Sequence, residues 1–171
     1  MGTGDGRYPL FVARTRSDTF AIGIDPSLDA LRRTSRALVR RPLANVALII
    51  SAVEAARLGP LADLVTVHFP WGSLLTAVLG DAPSGLASLA SLVKPGANVR
   101  VLVSATERDG HAPLGPEARA MLAQAYAAAG LRLRAMRLAK RAEVEAAHSS
   151  WGKRLDAGGT RPAYLLTAAR R

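Results

Sequence analysis

The chain has 171 residues, no cysteine, and 23 Lys and Arg against 13 Asp and Glu, a formal net charge of +10. Absent thiols exclude disulfides, thiolate zinc sites and cysteine nucleophiles. The length fits one domain over 1–171, and the arginine excess points to nucleic acid or another polyanion, although a GC-rich coding bias explains part of it.

His68, His111 and His148 are too scattered for metal-ligand spacing, so no metal is expected. No apolar run is long enough to span a membrane, and the first residues lack the charged-then-apolar order of a signal peptide. A cytoplasmic monomer with no membrane partner is the expectation.

Gly2-Thr3-Gly4-Asp5-Gly6-Arg7 reads as a side-chain-poor turn that feeds a helix from Tyr8 onward. Such a turn lets a ligand lie against backbone in open α/β sheets. Only Met1 stands before it, where a buried strand is expected. Thr19–Ile24 reads as a strand that ends in Asp25, about 20 residues after the turn, where a carboxylate meets a ribose. Since Pro26-Ser27 opens a helix, Asp25 also has the place of its N-cap, but the spacing favours the ribose role.

Ser27–Arg41 reads as a helix with Leu28, Leu31, Leu38 and Val39 on one stripe. Arg32, Arg33, Arg36, Arg40 and Arg41 occupy its other face, as a phosphate-docking surface or a merely solvated one. Strands follow at Asn45–Ser51 and Asp63–Phe69, the second running into Pro70-Trp71-Gly72-Ser73. That places a large aromatic at the sheet edge where ligands of this architecture bind. Short helices are expected at Leu74–Leu79 and at Gly85–Val93, the latter stopped by Lys94-Pro95-Gly96. Asn98–Ser104 reads as a strand, and 107–116 as a mobile loop. A helix at Glu117–Ala129, a half-exposed strand at Leu131–Leu138, a helix at Glu143–Leu155 and a strand at Ala163–Ala168 complete the chain. The alternation gives an α/β fold, a doubly wound, mostly parallel sheet whose first strand is missing or truncated.

The spacing Gly2-x-Gly4-x-Gly6 departs from the Gly-x-Gly-x-x-Gly of dehydrogenases and resembles the first motif of class I (Rossmann-like) S-adenosylmethionine-dependent methyltransferases. Together with Gly23-Ile24-Asp25, Ala52-Val53-Glu54, Phe69-Pro70-Trp71-Gly72-Ser73-Leu74-Leu75 and Ser150-Trp151-Gly152-Lys153-Arg154-Leu155, the chain resembles the Kam family of aminoglycoside-resistance 16S ribosomal RNA (adenine-N1) methyltransferases. The resemblance implies S-adenosyl-L-methionine as cofactor and the 16S rRNA of the 30S subunit as partner. It implies that Gly2, Thr3 and Gly4 face the amino-acid half of the cofactor, that Asp25 holds the ribose, and that Val53 and Glu54 lie against the adenine. Phe69, Ser73 and Ser149 complete that cofactor set, with Ser149 and Ser150 also placed to cap or orient their segment.

By the same resemblance, Trp71 and Trp151 sandwich the target adenine, and the Pro70 carbonyl accepts from its N6 amino group. Core burial is the plainer reading of both tryptophans. Arg154 and Arg161 would hold RNA around the flipped nucleotide, and the 27–41 arginines more distant rRNA. A transfer-RNA methyltransferase and a non-catalytic RNA-binding protein on a relic fold are the alternatives. With only Met1 before the glycine turn, the sheet is expected to lack its central strand. Either the start is internal to a longer protein or another segment or chain fills the gap, and cofactor affinity should be weak if the gap is real.

Overall fold

The structure is a computed structural model that describes residues 1–111 and 114–171. Its elements in chain order are α1 (Arg7–Thr15), β1 (Ala21–Asp25), α2 (Leu28–Arg40), β2 (Val46–Ile50), β3 (Ala62–His68), α3 (Gly72–Val78), α4 (Pro83–Ser91), β4 (Val93–Val103), α5 (Pro116–Ala128), β5 (Leu131–Leu138), α6 (Arg141–Ala146), α7 (Ser150–Arg154) and β6 (Tyr164–Arg170). Short 3-10 turns lie at Val53–Ala55 and Glu107–Asp109.

The strands fall into two sets. β1 pairs with β2 in parallel, and a four-stranded sheet runs in the order β3-β4-β6-β5. β3 and β4 are parallel, while β6 is antiparallel to both β4 and β5. Among the described residues no ladder joins β1 to β3, and the two sets are bridged at the glycine turn by Thr3 N to Ile24 O and the Met1 nitrogen to Thr66 O.

Period-two alternation along the four-stranded sheet sorts its side chains onto two faces. Val65, Val67, Val99, Val101, Val103 and Leu166 bury against α4 and α5, with Leu86, Leu89, Leu122 and Tyr126. Leu102 and Leu165 bury on the opposite face with Phe69, Ala147, Ala157 and Ala163. Tyr126 is fully buried, and its hydroxyl donates to the Val78 carbonyl at 3.1 Å, which ties α5 to α3 without an orphaned polar group.

Three local readings change. The apolar stripe of α2 is Leu31 with Thr34, both buried, while Leu28 and Val39 are exposed. The reason is that Thr34 hydrogen-bonds the Asp5 carbonyl, so α2 turns toward the glycine turn. β4 starts at Val93, passing through Lys94-Pro95-Gly96, because Val93 already pairs with Ala62 ahead of a register shift. The helix expected over Glu143–Leu155 is two helices, α6 and α7. They part at His148, whose φ of 47° no helix accepts, and Ser149 then caps α7 by accepting from Gly152 N at 3.0 Å.

The 107–111 part of the loop is held rather than loose. Asp109 accepts from Thr106 N at 2.9 Å and pairs with Arg161, while residues 112–113 lie outside the described residues.

Candidate active site

The first wall of the site is the glycine turn. Gly2 and Gly4 have φ of 58° and 56°, a region L side chains rarely enter, and a Cβ on Gly2 would stand 2.6 Å from Leu74 Cδ2. The turn is pinned from both sides of the sheet gap. Thr3 N donates to Ile24 O at 3.1 Å, and the Met1 nitrogen donates to Thr66 O at 2.8 Å.

Asp25, at the end of β1 and buried, fastens the turn with its carboxylate. Oδ2 accepts from Gly4 N at 2.7 Å and Oδ1 from Ser27 N at 2.9 Å. The N-cap of α2 is Ser27, whose hydroxyl accepts from Ala30 N at 3.1 Å. Asp25 is therefore not that cap. Each of its oxygens keeps a second lone pair for a ligand hydroxyl.

The second wall is the tryptophan platform. β3 leads into Phe69, which adopts φ 49°, and the chain then turns through Pro70 and Trp71 into α3. The Phe69 ring is buried and fills the space a side chain on Gly152 would need. A Cβ there would stand 2.6 Å from two ring carbons. That contact locks the two tryptophan segments together. Trp71 is 74% exposed and Trp151 40%, so neither is a core residue.

Between these walls lies a cavity of about 470 Å³, a size usual for small-molecule sites. Its lining includes Gly2, Thr3, Gly4, Asp25, Val53, Glu54, Phe69, Pro70, Trp71, Ser73, Ser149 and Trp151, which brings all twelve expected catalytic and cofactor residues to one place. Ser73 and Glu54 are exposed at it, whereas Val53 is buried in its floor. The Ser149 oxygen is already used as a cap acceptor, leaving its hydroxyl proton for a ligand.

The cavity also holds residues with no forewarning in the sequence. Tyr8 and His68 meet edge to face, ring centroids 4.4 Å apart, on its inner side. Burial first, and repulsion from the nearby N-terminal ammonium second, push the His68 pKa down to about 4, so the ring is neutral near pH 7. His148 stacks on Phe11 with centroids at 3.9 Å and so ties the link before α7 to α1. No periodicity or motif predicts either ring pair, because each is a long-range contact.

Of the expected RNA contacts, Arg32, Arg33, Arg36, Arg40, Arg41 and Arg154 are exposed, outside the cavity lining. Arg32 forms an i,i+3 pair with Asp29 at 3.2 Å, a geometry exposed enough to yield to a phosphate. Arg161 donates from Nη2 to Asp109 and to the Ser104 carbonyl and is mostly covered, so it braces the Thr106–Asp109 turn.

A profile of the 16S rRNA (adenine(1408)-N(1))-methyltransferase family matches residues 1–170. The chain belongs to this family. A 16S rRNA (adenine(1408)-N(1))-methyltransferase of Streptoalloteichus tenebrarius is 32% identical over 91% of this chain and 78% of its own length. One from Escherichia coli is 29% identical over 98% of this chain and 84% of its own. Among solved structures, the 16S rRNA methyltransferase KamB superposes with a TM-score of 0.87 at 29% identity, covering all of this chain and 86% of that one. A tryptophan-to-alanine variant of the Catenulisporales acidiphilia 16S rRNA (adenine(1408)-N(1))-methyltransferase, solved with cosubstrate SAM, matches equally well, over 99% of this chain and 83% of its own.

The site fits the S-adenosylmethionine cofactor of this family on its own terms. A turn without side chains leaves room for an amino-acid moiety against backbone. A buried carboxylate with free lone pairs suits ribose hydroxyls, and a neutral His68 adds no charge against a sulfonium.

Proposed function

We propose that this cavity holds S-adenosylmethionine beside an adenine extruded from the decoding site of the 30S subunit, and that the chain directs methyl transfer to N1 of that adenine. The observation that carries the reading is the placement of two exposed tryptophans, locked to each other through Phe69 and Gly152, at the mouth of the cavity closed by the glycine turn. When bound, the cofactor supplies an electrophilic methyl group on sulfur.

The residues of the chain then have separable tasks. Asp25 and the Gly2–Gly4 backbone fix the cofactor end of the reaction coordinate. Trp71 and Trp151 take up the extruded base by stacking, a contact typically worth about 1–3 kcal/mol per base. The Pro70 carbonyl is free to accept from the exocyclic amine and so to distinguish adenine. N1 of adenine carries its lone pair at neutral pH, so the attack requires alignment and no proton acceptor. This agrees with a cavity in which His68 is neutral and packed against Tyr8. Methylation leaves the base cationic, and two indole faces stabilise that charge as it develops. The arginines of α2 and Arg154 supply the electrostatic footprint for rRNA. The expected consequence in a bacterial cell is aminoglycoside resistance.

Methyl transfer from radiolabelled S-adenosylmethionine to 30S subunits, located by primer-extension arrest, tests the reading. Arrest at the decoding-site adenine is the expected result, and transfer only to tRNA or to neither RNA would overturn it. Trp71→Ala and Trp151→Ala should each lower methylation by at least 100-fold while leaving S-adenosylhomocysteine affinity within a few-fold by calorimetry.

A further inference from the structure

Trp151 stands on a helix too short to hold its own orientation. α7 has five residues, and a helix of that length takes its place from tertiary contacts. One contact is Gly152 against the Phe69 ring, which anchors α7 toward the segment of Trp71. The other lies at His148, ahead of Trp151 in the chain. Its ring stacks on Phe11 of α1, with centroids 3.9 Å apart and planes at 34°. α1 is the helix that the glycine turn opens, with Gly6 as its N-cap. Trp151 is therefore suspended between the wall that carries Trp71 and the wall that carries the cofactor turn.

Core packing does not account for the pair. α1 buries Pro9 and Ala13, whereas Phe11 is 39% exposed, and His148 is an exposed residue of the cavity lining. The backbone at His148 also needs support. Its φ of 47° is uncommon for a residue with a side chain, and such a conformation persists where its surroundings impose it. Two supports are local: His148 N donates to Glu145 O at 3.1 Å, and Ser149 caps α7. Both run within residues 145–152, so they fix where α6 stops and α7 starts. They cannot fix the segment relative to α1. The contact between the Phe11 and His148 rings does.

We infer that His148 is a positioning residue: by stacking on Phe11 it sets the Trp151 indole relative to the cofactor turn, so that a base on the indole lies in line with the methyl donor. His148 acts through Trp151 and takes no part in proton transfer. A reaction that requires alignment and no proton acceptor loses rate when the platform is misplaced, even if the cofactor binds as before. The alignment rests on the function proposed above; the placement of Trp151 by the stack does not.

Four variants test this. His148→Asn tolerates the backbone conformation and removes the ring, and Phe11→Leu keeps apolar bulk on α1 without a ring. His148→Tyr and Phe11→Tyr restore an aromatic partner. In a Trp71→Ala background Trp151 is the sole indole, and acrylamide quenching reads its exposure. His148→Asn and Phe11→Leu should each raise the quenching constant about two-fold, the two together no further, and both tyrosine variants should restore it. With Trp71 present, kcat for 30S methylation should fall about ten-fold or more in the ring-removing variants while KM for S-adenosylmethionine stays within a few-fold, and the tyrosine variants should recover it. Thermal unfolding should hold steady, since neither ring belongs to either core cluster. Unchanged quenching in both ring-removing variants overturns the stack as a support of Trp151. A rise in quenching that the tyrosines do not reverse does the same, by assigning the effect to the backbone. Raised quenching with unchanged kcat overturns the alignment. The expected quenching pattern with no methylation of 30S by the parent protein sinks the proposed function and leaves the placement of Trp151 standing.

Discussion

His68 shows how a single side chain sets the response of the site to acid. Its ring is buried against Tyr8, and its pKa is about 4 in the folded chain against 6.5 for a free histidine. Between those values the unfolded chain takes up a proton that the folded chain refuses. The contribution is neutral above pH 6.5 and turns against the fold as pH drops toward 4, by about 3 kcal/mol at the lower limit. Urea unfolding at pH 7 and pH 4.5 should show this loss, and His68→Gln should flatten the difference between the two. An equally steep pH dependence in the variant would place the acid sensitivity elsewhere. The placement of Asp25 and the two tryptophans at the cavity was legible in the sequence because it is written in adjacent residues: an acid after a strand, an aromatic directly before glycine. His68, Phe11 and the contact of Phe69 with Gly152 were not, since each depends on which distant segment arrives opposite.

The segment after β5 carries the same contrast at the level of elements. Glu143, Val144, Glu145, Ala146 and Ala147 favour a helix, and read alone they continue into Trp151. The continuation fails at His148, and the signal for a new start is Ser149, a strong N-cap residue. The break lets α7 turn so that Gly152 meets Phe69 and Trp151 faces the cavity. α6 is fixed independently. Glu143 accepts from both Arg137 terminal nitrogens, at 2.7 and 2.8 Å, and from Lys140 N at 2.8 Å, which draws its pKa down to about 2. Ser149→Ala should cost about 1 kcal/mol in thermal or urea unfolding. It should lower the methylation rate on 30S more than it lowers cofactor affinity, because the cap orients Trp151 and lies away from Asp25. Equal losses in both would mean that Ser149 serves the cofactor directly.

For the molecule as a whole, charge and site are segregated. The arginines of α2 stand exposed beyond the cavity, on the β1–β2 side of the sheet, while Trp71 stands at the start of α3 and Trp151 in α7. On the reading proposed above, docking and chemistry rest on different elements. Replacing Arg32, Arg33 and Arg36 by glutamine should lower 30S affinity and flatten the slope of log K against log salt by about 2–3. S-adenosylhomocysteine affinity should stay unchanged. Filter binding over a salt series measures both, and an unchanged slope would remove α2 from the interface.

The composition of the site gives the protein a built-in spectroscopic reporter. The chain contains two tryptophans, and both are the exposed indoles at the cavity mouth. Its indole emission comes from these two cavity-lining side chains and from nowhere else. Quenching or a blue shift on adding an adenine-bearing oligonucleotide would report occupancy without a label, and the Trp71→Ala and Trp151→Ala proteins would resolve the signal into its two faces.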